Sequence, residues 1–393
     1  MDSMTAEDLF DLLAKRVSET ETLREMLHRQ PRHSGDESDT LETVLAALPE
    51  GGQVTRLAGT GAVVRFGPPG PAVAIRGEMD ALPITEKTGA AFSSEHDGAM
   101  HACGHDVHMA AAVQVAHAAY ALDFPTPLLL VLQPREETYP SGAQDIAQSR
   151  ILQDEDCRIM IGAHVQPSLA SGTVACTPGP VNASSDEFDI IIHGREGHAA
   201  YPHLISDPIV ALSEVVLSLQ SVVSRSVDPM VPALVGVSSC AAGTAANVVP
   251  GDARATGTIR ALSLETRGLV LDRIEEIVTH VAHAHRCRAE IDFTHGEPLL
   301  YNDPDLARSI AEVLTSRDFT VNDSLRSLGA DDFSFFAAEI PSVMMFVGTE
   351  TDESLHSARF LPSTTDLKNV ARAMLCGYVA GAQRVRAERD HTT

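Results

Sequence analysis

Positive charge is scarce in this chain. Its 29 Lys and Arg face 54 Asp and Glu, a formal net charge of −25. Nucleic acid or an anionic membrane would be repelled by such a chain, so neither is expected as a partner. Long apolar runs are missing too. The longest, such as Leu128 to Leu132, fall far short of the roughly 20 residues of a bilayer span. No apolar signal-peptide core precedes the amphipathic helix expected over Ala6 to His28. The six cysteines, at 103, 157, 176, 240, 287 and 376, lack framework spacing, which suits a reducing cytoplasm. Internal repeats and low-complexity segments are also lacking. A chain of 393 residues, 44% of them hydrophobic, exceeds one ordinary core, so two domains are expected.

What is present centres on Met100-His101-Ala102-Cys103-Gly104-His105-Asp106-Val107-His108, which concentrates a thiol, three imidazoles and a carboxylate. Thiolate, imidazole and carboxylate are the donors that hold zinc and neighbouring divalent metals. Cys103 and His105 are two apart, so an extended backbone would point both the same way. Around this stretch the pattern alternates. Val54 to Phe66 reads as a hairpin, and Ala72 to Arg76 is a strand running into Glu78 and Asp80. A helix follows the Cys-His stretch. Strand Leu128 to Leu132 then leads to Glu136-Glu137, and strand Ile159 to Ala163 ends in His164. Polar groups at the strand C-ends of a β/α sheet share one crevice. Glu78, Asp80, Cys103, His105, Glu136, Glu137 and His164 are therefore expected to meet as a metal site.

From about Asn182 to Phe293 the rhythm becomes β-α-β-β-α-β, the arrangement of a ferredoxin-like unit. The expected organisation is an α/β protein with a central, mostly parallel sheet over residues 1–181 and 294–393. An α+β unit over 182–293 is inserted in it. The last part carries a helix from Pro304, a strand Ser342 to Val347 and a closing helix from Thr365 to about Arg386.

These segments resemble the M20 family of metallo-aminopeptidases and amidohydrolases. The similarity is greatest to its branch of hippurate hydrolases, N-acyl-amino-acid aminoacylases and auxin-conjugate amidohydrolases. The matching motifs are Glu78-Met79-Asp80-Ala81-Leu82-Pro83, Met100 to Asp106, Gln133-Pro134 with Glu136-Glu137, Gly197-His198-Ala199-Ala200, Asn247-Val248-Val249-Pro250 and Leu355-His356-Ser357. The resemblance implies two divalent metal ions, zinc or else manganese or cobalt. Cys103 would bridge them, and His105, Glu137, His164 and His356 would be terminal ligands. It implies Glu136 as general base, Asp80 as the carboxylate orienting a ligand, and His198 reaching into a neighbouring subunit's cleft. Asn247 and Arg260 match positions that hold a substrate carboxylate, and the insert would serve as lid and homodimer interface. The chain departs from the branch at Glu78 (usually Asp), at Asp331 (usually Glu) and at Thr138 to Gly142, which replaces a Gly-rich run.

The chemistry is consistent with these residues. Metal-bound water needs a carboxylate to take its proton and hand it to the leaving nitrogen. On an extended strand, Glu136 and Glu137 would diverge, one to water and one to metal. His198 could donate to a developing oxyanion, a contribution of roughly 3 kcal/mol, and Arg260 offers a planar fork for a carboxylate. The expected activity is hydrolysis of an N-acyl-amino acid, with a dipeptidase as the nearest alternative and a silent metal-binding protein as a rival.

Overall fold

The computed structural model describes residues 3–390, in which the chain forms two compact units. One runs through Gly179 and resumes over Tyr301–Leu325 and from Asp332 onward; the other is Pro180–Leu300 with Arg326–Asp331. The second unit is wider than the 182–293 read from the sequence. Its return segment joins because Ser327 N–H donates to Val181 O at 2.9 Å and Ser327 O accepts from Ala183 N–H at 3.1 Å.

In chain order, the first unit opens with α1 (Ser3–Ala14), α2 (Val17–Arg29), α3 (Ser38–Ala47), β1 (Gln53–Leu57), β2 (Gly61–Phe66) and β3 (Ala72–Glu78). It continues with α4 (His105–Tyr120), β4 (Leu128–Gln133), β5 (Cys157–Ala170) and β6 (Thr173–Ala175). The second unit supplies β7 (Ser184–His193), α5 (Pro208–Ser226), β8 (Ala233–Ala242), β9 (Asp252–Ala261), α6 (Leu264–Ala284) and β10 (Arg288–His295). The first unit closes with α7 (Pro304–Ser316), β11 (Thr320–Asn322), β12 (Ser342–Thr349) and α8 (Thr364–Asp390).

The sheet of the first unit has the order β1-β2-β4-β3-β5-β12-β6-β11, with β4, β3, β5 and β12 mutually parallel at its centre. Every residue of β3, β4 and β12 is buried, as continuous apolar strands covered on both faces require. Truncating one of them, for example Leu130→Ala, would cost about 2–5 kcal/mol. Register decides what emerges together: Glu78 pairs with Gln133, and Met79 N–H donates to Gln133 O at 2.9 Å. Asp80 and the segment after Pro134 therefore leave adjacent strands side by side. Beyond β3 lies β5, which carries His164 opposite Phe346 of β12.

The structure corrects several local expectations. Ala6 to His28 is two helices, α1 and α2, each turning its own apolar face (Leu9 and Leu13; Leu23 and Leu27) into the core around α4. Cys103 and His105 do not share an extended strand. Gly104 is left-handed (φ +82) and α4 begins at His105. Glu136-Glu137 lies in a bend beyond β4 rather than at an extended strand's end, and β5 continues through His164 to Ala170 because β12 pairs along it.

The second unit is a four-stranded antiparallel sheet, β8-β9-β7-β10, with α5 and α6 against it. Among the described residues, α5 alone is long and apolar enough to cross a membrane by length and composition. Its Ala211, Leu212, Val215, Leu219 and Val222 are buried in this unit's own core.

A buried ion cluster ties α2 to the start of α4. Asp106 Oδ2 accepts from Arg24 Nε at 2.7 Å and from His28 Nδ1 at 2.9 Å, and His28 Nε2 lies 3.3 Å from Glu86 Oε1. Burial would lower the His28 pKa, but Asp106 and Glu86 outweigh it, despite Arg24, and raise it from 6.5 to about 9. A raised folded-state pKa stabilises the fold fully below the unfolded value, and that gain is lost as pH rises through the folded one. The stability advantage of the wild type over His28→Gln is therefore expected to be greatest below pH 6.5 and to shrink through about pH 9. Urea titrations across that range measure it, and an advantage that grows with pH would contradict the assignment.

Candidate metal centre

The centre is assembled from loops following β3 and β4, the first turn of α4, the middle of β5 and the loop before α8. Asp80, just past β3, is fully buried. Its Oδ2 accepts from Ser34 Oγ at 2.7 Å and from Glu137 N–H at 3.0 Å, while its backbone carbonyl accepts from His105 Nδ1 at 2.8 Å. Burial alone would raise the Asp80 pKa, but His105, Glu137 N–H and Ser34 hold it below the usual carboxylate value, so Asp80 is ionised.

A carbonyl can only accept, so His105 Nδ1 carries a proton and Nε2 is the nitrogen left to coordinate. Burial would lower the His105 pKa, but Asp80 and Cys103 raise it well above 6.5, so a bound cation has to displace the Nε2 proton. That Nε2 is buried without a hydrogen-bond partner, 3.8 Å from Glu136 Oε2. His164 is arranged alike: Nδ1 donates to Val165 O at 2.7 Å, and Nε2 lies 3.3 Å from Cys103 Sγ. Across the cluster, His356 Nε2 stands 3.4 Å from Glu137 Oε1, itself buried with no hydrogen-bond partner. His356 has φ +64, and its N–H donates to Ala102 O at 2.9 Å, which fastens its loop to the Cys103 segment. Ligand atoms of Cys103, His105 and Glu137 all lie within 4.8 Å of one another.

Electrostatics favour a cation here. Burial pushes the Cys103 thiol far up, so the thiolate requires a nearby positive charge. Burial pushes His164 well down, keeping it neutral and able to coordinate. Donor atoms of three chemical types face one another here, the His105 nitrogen and the Glu137 oxygen among them unpartnered, and such a set fits one or more thiophilic divalent ions.

A neighbouring set, Glu78, His105, His108 and His164, also converges within 4.8 Å, but two members are already engaged. His108 Nε2 accepts from Val165 N–H at 3.0 Å, so Nδ1 bears the proton it donates to Glu78 Oε2 at 3.1 Å. Glu78 also meets Arg76, whose guanidinium donates to Gln133 Oε1 at 2.7 Å and to Asp332 Oδ1 at 2.6 Å. Glu78, expected in the cluster at the strand ends, is thus a buried counter-charge beneath the donors. His101 is buried with neither ring nitrogen partnered, and burial lowers its pKa to about 3. It is a neutral packed ring.

The structure therefore brings Cys103, His105, Glu136, Glu137, His164 and His356 together in the first unit, with Asp80 beneath them. His198, Asn247 and Arg260 belong to the second unit. There Val248 pairs with His198, Ala199 N–H donates to Asn247 O at 3.0 Å, and Ala200 N–H donates to His198 Nδ1 at 3.1 Å. That last bond leaves the proton of the neutral ring on Nε2, an available donor. Arg260 Nη1 is bonded to Thr258 Oγ1 and Ile259 O on its own strand. Sequence reasoning missed Ser34, Glu37, Arg76 and Arg135. Ser34-Gly35-Asp36-Glu37 reads as a solvated turn, and nothing local signals that its side chains reach Asp80 and Arg135.

The sequence model of peptidase family M20/M25/M40 matches residues 74–376, and the chain belongs to that family of amide-bond hydrolases. It is 37% identical, over 91% of its own length and 97% of the relative's, to an N-acetyldiaminopimelate deacetylase of Halalkalibacterium halodurans. Among solved structures it superposes on the Bacillus subtilis YXEP protein, described as a dinuclear metal-binding peptidase of family M20. That match has TM-score 0.84 and 26% identity, covering 95% of this chain and 99% of the other. A protein of methicillin-resistant Staphylococcus aureus described as an aminohydrolase gives TM-score 0.89 at 27% identity, covering 97% and 99%.

The two roles assigned to histidine separate by experiment. Because both His108 nitrogens are engaged, His108→Gln is expected to lose about 1–3 kcal/mol of stability without lowering the divalent metal bound per chain. Denaturant unfolding and elemental analysis read the two effects, and loss of bound metal would make His108 a ligand instead.

Proposed function

We propose that this protein is a metal-dependent deacetylase that hydrolyses the N-acetyl amide of an N-acetyl-amino acid of the N-acetyldiaminopimelate kind, releasing acetate and a free amine. The observation that carries the reading is the convergence of buried, unpartnered His105 Nε2 and Glu137 Oε1 with Cys103, His164 and His356 beside Glu136. The H. halodurans relative supports acetyl as the acyl group, in place of the benzoyl of a hippurate-type substrate. Cys103, His105, Glu137, His164 and His356 would hold two divalent ions, zinc by the preference of sulfur, with manganese or cobalt also compatible. Such ions polarise the amide carbonyl and lower the pKa of a coordinated water.

The remaining work belongs to the chain. Glu136 takes the proton of the attacking water and delivers it to the leaving nitrogen. Asp80 fixes the His105 tautomer through its carbonyl and holds the Glu137 backbone through its carboxylate. His198 Nε2–H suits a developing oxyanion, and Asn247 and Arg260 suit a substrate carboxylate. Self-association as a homodimer through the second unit is supported by Ile209, Val210 and Leu217 of α5 and Leu234 of β8. All four are exposed, and Ile209 and Leu217 line an apolar groove beside the β8 edge. Leu217→Asp is expected to shift the protein to monomers in light scattering.

Acetate release from N-acetyldiaminopimelate, compared with hippurate and a plain dipeptide, tests the substrate, and faster cleavage of either competitor overturns it. Glu136→Gln is expected to lower kcat by about 10²–10⁴-fold with zinc content unchanged; undiminished turnover would remove Glu136 from the mechanism.

A further inference from the structure

Arg135, directly before the paired glutamates, has φ +50. This is a left-handed backbone that a residue with a Cβ keeps only where its surroundings over-determine it, as they do at functional sites. Here it is pinned on every side. Its N–H donates to Glu37 Oε1 at 2.9 Å, and its carbonyl accepts from Gly142 N–H at 3.1 Å. That approach is so close that a Cβ on Gly142 would fall 1.9 Å from Pro134 O. The guanidinium donates to Pro140 O at 2.7 Å, to Ala58 O at 3.3 Å and to the Asp145 carboxylate.

Glu37 is the unusual member. It is fully buried, yet its carboxylate is held by neutral donors: Arg135 N–H, Gly35 N–H at 2.9 Å and the Thr60 hydroxyl. Burying a carboxylate without a cation is costly unless hydrogen bonds compensate it, and two of these bonds fix loop backbone rather than core. Ser34, in the same loop, donates to Asp80. A single turn thus reaches both Asp80 and the glutamate pair.

We propose that Glu37 is a positioning residue for the hydrolysis. It clamps Arg135 in its left-handed turn so that Glu136 is held near His105 and Glu137 near His356. The inference rests on reading the site as a hydrolytic metal centre, and two readouts keep the claims separate: steady-state kinetics on an N-acetyl-amino acid, and titration with cobalt(II) followed by visible absorption. Glu37→Ala is expected to lower kcat and weaken cobalt(II) binding by about 10- to 100-fold each, with KM little changed. Glu37→Gln keeps a carbonyl oxygen for both amides and an NH₂ for the Thr60 hydroxyl, and is expected to recover most of both. A folded Glu37→Ala with wild-type kcat and cobalt affinity, or a Gln variant as impaired as Ala, overturns the clamp. If the wild type binds cobalt but cleaves none of the substrates, the deacetylase reading fails and the cobalt comparison alone decides the clamp. Should Glu37→Ala fail to fold, Thr60→Val releases only the second oxygen: a fall in kcat at unchanged melting temperature supports the clamp, and an unchanged kcat overturns it.

Discussion

One buried carboxylate carries the geometry of the candidate centre. Asp80 accepts from Ser34, orients the Glu137 backbone and, through its own carbonyl, fixes the proton of His105. Hydrogen bonds to an ionised group are worth about 1.5–3 kcal/mol each, and leaving one partner unmet in the interior costs comparably. Three stretches remote in sequence are therefore held to one another by a group that need not touch substrate. The parallel register of β3 and β4 makes this possible, since it delivers Asp80 and the glutamate pair to neighbouring positions at one end of the sheet.

Beneath this level lies a second layer whose charges are already satisfied. Arg76 sits among Glu78, Asp332 and Gln133, and His108 bridges Glu78 to the Val165 backbone. The contrast between His108 and His105 is instructive, because both are buried imidazoles on the first turn of α4. His108 has protein on both nitrogens; His105 and His164 each spend Nδ1 on a carbonyl and turn Nε2 toward the cluster. What faces the second nitrogen, rather than burial or spacing, separates a structural histidine from a candidate ligand.

The elements legible from sequence were those whose signal is local or strongly patterned. The apolar run at Leu128, the alternation along β7 and the turn-bounded hairpin of β1 and β2 report directly on burial and period. The β-α-β-β-α-β order of the second unit follows from such runs in succession. Other expectations missed where tertiary contacts outvoted a local rule. Gly104 takes a left-handed conformation and lets α4 start at His105, so the two-residue spacing to Cys103 is not that of a strand. The glutamates diverge through the bend at Arg135, not through strand alternation. The N-terminal amphipathic stretch breaks at Lys15-Arg16, where two short helices each bury a face that one straight helix would carry past the core.

Residue chemistry and order were written in the chain itself: which side chains could bind a cation, that they follow buried strands, and that an α+β unit interrupts the β/α pattern. Such features depend on side-chain type and on hydrophobic period, and both are local quantities. Folding alone decided that Glu78 would be a counter-charge, that His356 would reach Glu137 across more than half the chain, and that Ser34 and Glu37 would brace the loops around the centre. Each of these depends on which groups are left without partners once the backbone is packed, and no stretch of sequence contains that information by itself.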